Sequence, residues 1–409
     1  MKIVICVLMC AAMATETVSV KVVEGGESQR KARECRGVIV GPGVNQPDPF
    51  PGYQGFVGWE SPIRLRDGSW LVGFSAGYWH ASGPTPHRYP PETLAEYVKM
   101  GMPADVDAPT GGRAMLTWST DEGRTWSKPA TLIDTPADDR HPSFLELPSG
   151  TILCSFFTYM GAGDFKADPS LAYRTHVIRS VDGGATWQPE THPLPSPFIA
   201  DESDGPMVLT KDGSVLLAIN GKPAEGGRES VALLHSTDEG VSWEMVSTIA
   251  TDHDLCEPSV AELPDGRLVL IARPEGDICW SEDKGRTWTK PVTFGMRLFA
   301  PSLCVTNDGT LLCLHGSYGA GGLRAIFSID GGLTWIAPAS NYGFLVDRSY
   351  GYGKATKLAD GSFFVVYLST GGHAAKDARN NAVRCIRLRI RPDHSGIDLL
   401  PAPNRVEDQ

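Results

Sequence analysis

Short apolar runs recur along most of the chain, and each is bounded by a turn signal. Six strand–turn–strand units turn at Asp67-Gly68, Ser149-Gly150, Asp212-Gly213, Asp265-Gly266, Asp308-Gly309 and Asp360-Gly361. An apolar run follows each turn, such as Leu268–Ile271 or Phe363–Val366, which reads as a buried strand leaving a hairpin. A second hairpin type interleaves with the first. Five segments, Ser119–Trp126, Ser180–Trp187, Ser236–Trp243, Ser281–Trp288 and Ser328–Trp335, share the pattern Ser-x-Asp-x-Gly-x-Thr/Ser-Trp. Its chemistry is that of a turn: the Asp accepts from backbone N–H groups two or three residues on, the Gly supplies a positive φ, and the Trp folds back as an apolar plug. Five similar copies point to one structural job repeated, so these aspartates are read neither as metal ligands nor as catalysts.

Alternation of the two hairpin types predicts four strands per unit and six units. About 65 residues per unit suits four-stranded propeller blades with loop insertions. The predicted fold is all-β, a six-bladed β-propeller of antiparallel blades. The sixth unit lacks the second hairpin type, so its last strand, near Val383 to Ile390, is expected to close the ring beside a strand near Val38 to Val40. The expected organisation is a signal peptide over 1–14, an N-terminal extension over 15–32, the propeller over 33–395 and a C-terminal tail over 396–409.

Composition supports this picture. The 409 residues include 45 Gly and 31 Pro, dispersed along the chain, which suits many short strands and argues against a helical bundle, a coiled coil or disorder. The net charge of −11 argues against nucleic acid or an anionic membrane as a general partner. The segment Met1-Lys2, an apolar run to Met13 and Ala12-Met13-Ala14 reads as an export signal too short to span a bilayer, so a secreted or periplasmic protein without a membrane span is expected. Removing Cys6 and Cys10 with it leaves seven of nine cysteines. That is neither a disulfide framework nor a zinc pattern. Cys304 and Cys313 sit symmetrically about the Asn307-Asp308-Gly309 turn, and Cys35 meets Cys385 if the chain ends pair; free thiols and bonds both remain open for these pairs.

The starts of the innermost strands converge on one mouth of a propeller, where a ligand sits. Those starts form a polar ring: Trp59-Glu60, Asp139-Arg140-His141, Asp201 to Asp204, Asp254 with Glu257, Arg297, and Asp347-Arg348 with Tyr350 and Tyr352. Together with the five Asp-centred hairpins, this resembles the sialidase (neuraminidase) superfamily, whose hairpins are called Asp boxes. The resemblance covers nearly all of the chain after the leader.

It implies a retaining exo-glycosidase, acting on a terminal acidic sugar of a glycan or glycoconjugate, without metal or other cofactor. A tyrosine nucleophile is the known exception among glycosidases. A neutral phenol suits a reacting carbon that bears a carboxylate, but it needs a partner base. The resemblance assigns Tyr352 as nucleophile, with Tyr350 as fallback, and Glu257 as its base. Glu257 starts one strand and Arg273 ends the antiparallel partner, so both come to the same mouth. Arg273 and Arg324 are similar to two arginines of a carboxylate-binding triad. Asp107 matches the general acid, with Asp105 and His80 as alternatives in the same long loop.

One position departs. Glu60 stands where the family carries the first triad arginine. A lost charge-assisted hydrogen bond costs about 1.5–3 kcal/mol, or roughly one to two decades of affinity. Arg64 lies roughly 13 Å further along the strand and is no substitute. Arg140 or Arg348 can take the place, with Glu60 as the ion-pair partner. The departure leaves two other readings open. One is a different glycan-active propeller enzyme, either a uronate lyase with His141 and Tyr350 as acid and base or another glycosidase; the other is a glycan-binding propeller without catalysis. Oligomeric state is not legible from the sequence.

Overall fold

A computed structural model of the chain describes residues 17–24, 29–48, 55–77, 87–88, 95, 107–108, 112–135, 137–159, 174–188, 194–224, 226–338, 342–370 and 380–405. They form a six-bladed β-propeller. Blade 1 runs outward from the strand Phe56–Arg64 through Trp70–Gly77 and Arg113–Ser119 to Ala130–Ile133. The first strands of blades 2, 4, 5 and 6 are Asp138–Glu146, Cys256–Glu262, Leu298–Val305 and Gly353–Lys357; that of blade 3 is divided into Ala200–Glu202 and Val208–Leu209. Apolar side chains fill the seams between blades. Val72 and Phe74 of blade 1, for example, pack with Phe364 and Val366 of blade 6.

Four of the five Asp boxes join third to fourth strands, and that of blade 2 leads from its third strand to an isolated bridge of Gln188 with Arg179. Since first strands begin at the mouth, both hairpin types lie on the face opposite to it. In each box the Ser Oγ accepts from the Gly N–H, as in Gly123 to Ser119 at 2.9 Å and Gly285 to Ser281 at 2.8 Å. The Asp carboxylate reaches further than the sequence reading had it. It accepts from the backbone N–H four residues on, as in Thr125 to Asp121 at 2.9 Å and Thr287 to Asp283 at 2.8 Å. The intervening pair takes positive φ, which lengthens the turn: Glu122 and Gly123 stand at 61° and 82°. The Trp Nε1–H donates to the Gly carbonyl in four boxes, for example Trp187 to Gly184 at 3.1 Å. The fifth, Trp335, is fully buried in an inter-blade core with Phe294 instead.

Ring closure is as expected: Gly37–Val40 pairs antiparallel with Val383–Ile390. Two chain-end segments contribute more than an extension and a tail. Ile397–Leu400 adds a strand to Val383–Ile390, and Ser19–Val23 pairs in parallel with Thr334–Pro338 of blade 5. The helix Gln29–Cys35 packs against blades 5 and 6. Buried Asp347 anchors this region, accepting from Gln29 at 2.6 Å, from Arg36 at 3.0 Å and from Tyr367 at 2.7 Å. The seven described cysteines are free thiols. Cys304 pairs with Leu312, and Leu303 with Cys313, so this register turns the two thiols to opposite faces of the hairpin. Cys35 bonds the Leu399 carbonyl and Cys385 the Asn404 side chain, so these two do not join either. No helix among the described residues is long and apolar enough to cross a membrane.

Candidate active site

Four innermost strands carry the same irregularity near the mouth. Trp59, His141, Glu257 and Ala300 take φ of 53°, 55°, 45° and 47°, and each lies in a break of strand register. Such a bulge turns the side chain out of the pleat, here toward the propeller axis, at a cost of about 1–3 kcal/mol per non-glycine residue. The strain is repaid by what the bulges assemble.

Glu257 is the centre of that assembly. The Tyr352 hydroxyl donates to its Oε1 at 2.5 Å, and Arg273 Nη1 donates to the same oxygen at 2.7 Å. Oε2 accepts from the Ala300 N–H at 2.7 Å. The Glu257 N–H donates to Asn220 Oδ1 at 3.0 Å, and Asn220 Nδ2 donates in turn to Glu202 at 3.0 Å. Burial raises the Glu257 carboxyl to about 6, with Arg273 opposing the rise, so it is ionised at neutral pH. Burial and the Glu257 charge hold the Tyr352 phenol well above its ordinary value. The pair is a protonated phenol facing an ionised carboxylate, the arrangement an oxygen nucleophile needs when it must lose its proton on attack.

A second pair flanks the first. His141 Nδ1 faces Asp204 Oδ1, and the imidazole meets Tyr352 edge-on with ring centroids 6.0 Å apart. Burial tends to raise the Asp204 carboxyl, but the charges of His141, Lys354 and Arg273 outweigh it and hold it low. Phe299, Tyr318 and Tyr350 form an aromatic wall, with Tyr350 stacked parallel on Tyr352 at 5.6 Å.

A family model described as a BNR repeat-like domain matches residues 140–365, more than half of the chain. The chain belongs to that family. This BNR propeller is of the sialidase superfamily. It is 27% identical over 323 residues to a sialidase of Micromonospora viridifaciens, covering 68% of this chain and 47% of that protein, so it spans about half the length of that curated relative. A leech intramolecular trans-sialidase complexed with 2,7-anhydro-Neu5Ac matches with a TM-score of 0.56 at 13% identity, over 93% of this chain and 70% of that one. A Penicillium chrysogenum α-L-arabinanase complexed with arabinobiose matches with a TM-score of 0.54 at 15% identity, over 86% and 97%. At such identities the two structures speak for the fold alone.

The BNR propeller does not gather every residue that the sequence singled out. Arg324 donates to the carbonyls of Gly321 at 2.9 Å and Gly343 at 3.0 Å, and its charged neighbour is Arg348. Arg348 is exposed, and its backbone N–H donates to Gln29. Arg140 is spent on Asp138, at 2.7 and 2.6 Å, between the rings of Trp59 and Tyr159. The Glu60 partnership with Arg140 or Arg348 is therefore corrected. Buried Glu60 lines a narrow cavity with Lys354, and desolvation raises its carboxyl to about 8. The backbone of Asp107–Ala108 pairs with His87–Arg88; the Asp107 side chain, like Asp105 and His80, lies outside the described residues.

Several ring members are structural. Asp201 holds Arg174 and the Thr175 N–H, Asp254 accepts from the Glu229 N–H, and Arg297 pairs with Glu275. Sequence reasoning missed Asn220 and Lys354 and did not single out Asp204 from its acidic stretch. Asn220 comes from a middle strand, Lys354 from an innermost one and Asp204 from the break in the divided first strand of blade 3, where no local motif marks them.

Proposed function

We propose that this BNR propeller is a retaining glycoside hydrolase of the exo-α-sialidase type, exported through its N-terminal segment and acting on a terminal acidic sugar. The convergence of Tyr352 and Arg273 on one oxygen of Glu257 carries the reading. Tyr352 Oη attacks the anomeric carbon as the bond to the leaving oxygen breaks, and its proton passes to Glu257 Oε1. The general acid, expected at Asp107, protonates the leaving oxygen. Water then displaces the tyrosyl group with the same residues in reversed roles, which restores the starting anomer. Arg273 keeps Glu257 anionic and lies where a substrate carboxylate can bind it. With Arg324 turned to backbone carbonyls and Glu60 in the third position, the carboxylate clamp is sparser than the resemblance implies, so a smaller or less demanding acidic sugar fits better than a tightly gripped one.

The test is release of a fluorogenic aryl sialoside, followed by a panel of other terminal glycosides. Tyr352→Phe and Glu257→Gln should each lower kcat by a factor of about 10³ or more, since each removes a group required in the transition state. Undiminished turnover in both variants would overturn the mechanism. A second reading, elimination from a uronate, is favoured by one observation: the His141–Asp204 pair stands at the edge of Tyr352. Ultraviolet absorbance of an unsaturated uronate, appearing without water incorporation, would select it. Binding without turnover would select a non-catalytic glycan-binding propeller.

A further inference from the structure

The strained bulges of the mouth are held by a repeated device. In three of the four, the N–H of the left-handed residue donates to a side chain of the preceding blade: His141 to Ser75 Oγ at 3.3 Å, Glu257 to Asn220 Oδ1 at 3.0 Å and Ala300 to Glu257 Oε2 at 2.7 Å. Ser75 and Asn220 hold the same place in their blades, each sixth in an eight-residue second strand, Trp70–Gly77 of blade 1 and Val215–Lys222 of blade 3. Glu257 lies in the gap of register between Cys256 and Ser259, so its N–H takes no part in the ladder. A buried N–H left without an acceptor costs about 1–3 kcal/mol, and Asn220 is what spares Glu257 that cost. Asn220 also reaches further than Ser75. Its Nδ2 donates to Glu202 Oε1 at 3.0 Å, so one buried side chain ties the first strand of blade 3 to the bulge of blade 4. Because an N–H can only donate, the amide presents its oxygen to Glu257 and its nitrogen to Glu202.

We propose that Asn220 is a positioning residue, whose amide holds the Glu257 backbone left-handed and so aims the carboxylate at Tyr352. The inference rests on the roles proposed for Glu257 and Tyr352. The chain of contacts is short and unbroken. Asn220 bonds the Glu257 N–H, and at φ 45° the Glu257 side chain leaves the pleat. Its Oε1 then receives the Tyr352 hydroxyl at 2.5 Å and Arg273 at 2.7 Å, while Oε2 receives the Ala300 N–H. A positive φ is unfavourable for glutamate, and relaxation to ordinary strand backbone would return the side chain to the pleat and part it from Tyr352. Arg273 and Ala300 grip the carboxylate itself. Asn220 grips the backbone that carries it, from a blade that supplies neither the nucleophile nor the base.

The experiment is carbon NMR of the full chain labelled with ζ-¹³C tyrosine, the Tyr352 signal being identified by its loss in Tyr352→Phe. Glu257→Ala gives the displacement of that signal when the carboxylate is gone. Asn220→Ala should displace it in the same direction and by more than half as much, a change that a merely structural residue would not produce. Asn220→Leu, close to asparagine in shape, gives the same reading should the Ala variant fail to fold. Asn220→Ser copies the cap of blade 1 and should bring the signal back toward that of the parent. A Tyr352 signal unmoved in a folded Ala or Leu variant overturns the proposal, and so does a Ser variant no better than Ala. With a glycoside that the parent turns over and Glu257→Gln does not, kcat of Asn220→Ala should fall by a factor of about 10²; kcat at the level of the parent would also overturn the proposal. A displaced signal in a protein that turns over no glycoside supports the role of Asn220 and counts against hydrolysis alone.

Discussion

The two faces of the propeller obey opposite rules. On the Asp-box face the polar atoms of the boxes bond mostly within the turn: Ser281, Asp283 and Thr287 bond one another within seven residues, and the Ser and Asp bonds recur in the other boxes, with the indole N–H of Trp335 the exception. At the mouth, the polar groups are buried, come from four or more blades, and include carboxyl and ammonium atoms that go unbonded. One face spends hydrogen bonds to hold strands together. The other tolerates strain and incomplete bonding to hold an unusual set of charges. Stability and chemistry are therefore separable in this fold, and substitutions can test the division.

The largest effect is expected at the mouth. Arg273→Gln should lower kcat/KM by a factor of about 10² or more, because Glu257 loses the charge that opposes its desolvation. Its acid limb, measured with the same glycoside, should shift to higher pH. Next in size is Asp283→Ala on the opposite face. Losing its three hydrogen bonds should cost about 1–3 kcal/mol in denaturant unfolding, with kcat unchanged; a fall in kcat of the folded variant would break the separation.

The faces should also part in their response to pH. Hydrogen bonds from Thr125 and Thr186 hold the Asp121 and Asp182 carboxyls at about 2, so their contribution is present above the ordinary carboxyl range and lost as pH falls toward 2. Glu60 has the opposite sign. Its carboxyl binds a proton more tightly in the fold, at about 8 against an ordinary 4.5, so folding is favoured below 4.5 and the advantage is lost as pH rises toward 8. Thermal melts of Glu60→Gln should therefore lose less stability between pH 5 and 8 than those of the parent. The smallest effect concerns backbone strain. Ala300→Gly, at φ 47°, should gain about 0.5–1 kcal/mol, whereas Gly332→Ala, at φ 94° and with its new Cβ 3.1 Å from Ile278, should lose stability.

What was legible in the sequence follows the same division. The Asp boxes and Asp-Gly turns declare themselves because their chemistry is local, and counting them yields the six blades. Tyr352, Glu257 and Arg273 were legible through resemblance and through hairpin geometry, which puts the ends of paired strands together. Lys354 and Asn220 were not: Asn220 meets Glu257 only through the packing of blade 3 on blade 4, and Lys354 of blade 6 shares a cavity with Glu60 and Asp204 of other blades, so no local motif marks either. Arg324 shows the converse: its strand is where the repeat puts it, but the guanidinium turns to backbone carbonyls that no motif announces.

Ring closure has a kinetic consequence. The Asn404 side chain donates to the Val38 carbonyl across 366 residues of sequence, in the same blade where Gly37–Val40 pairs with Val383–Ile390. Joining ends so far apart costs about 5 kcal/mol of loop entropy if nothing between them is folded, and far less once blades 1 to 5 stand. During synthesis the first closing strand must wait, unpaired, until the last has emerged. Blade 6, which supplies both Tyr352 and Lys354, is thus the last to close, and the candidate site is completed only when the ring closes.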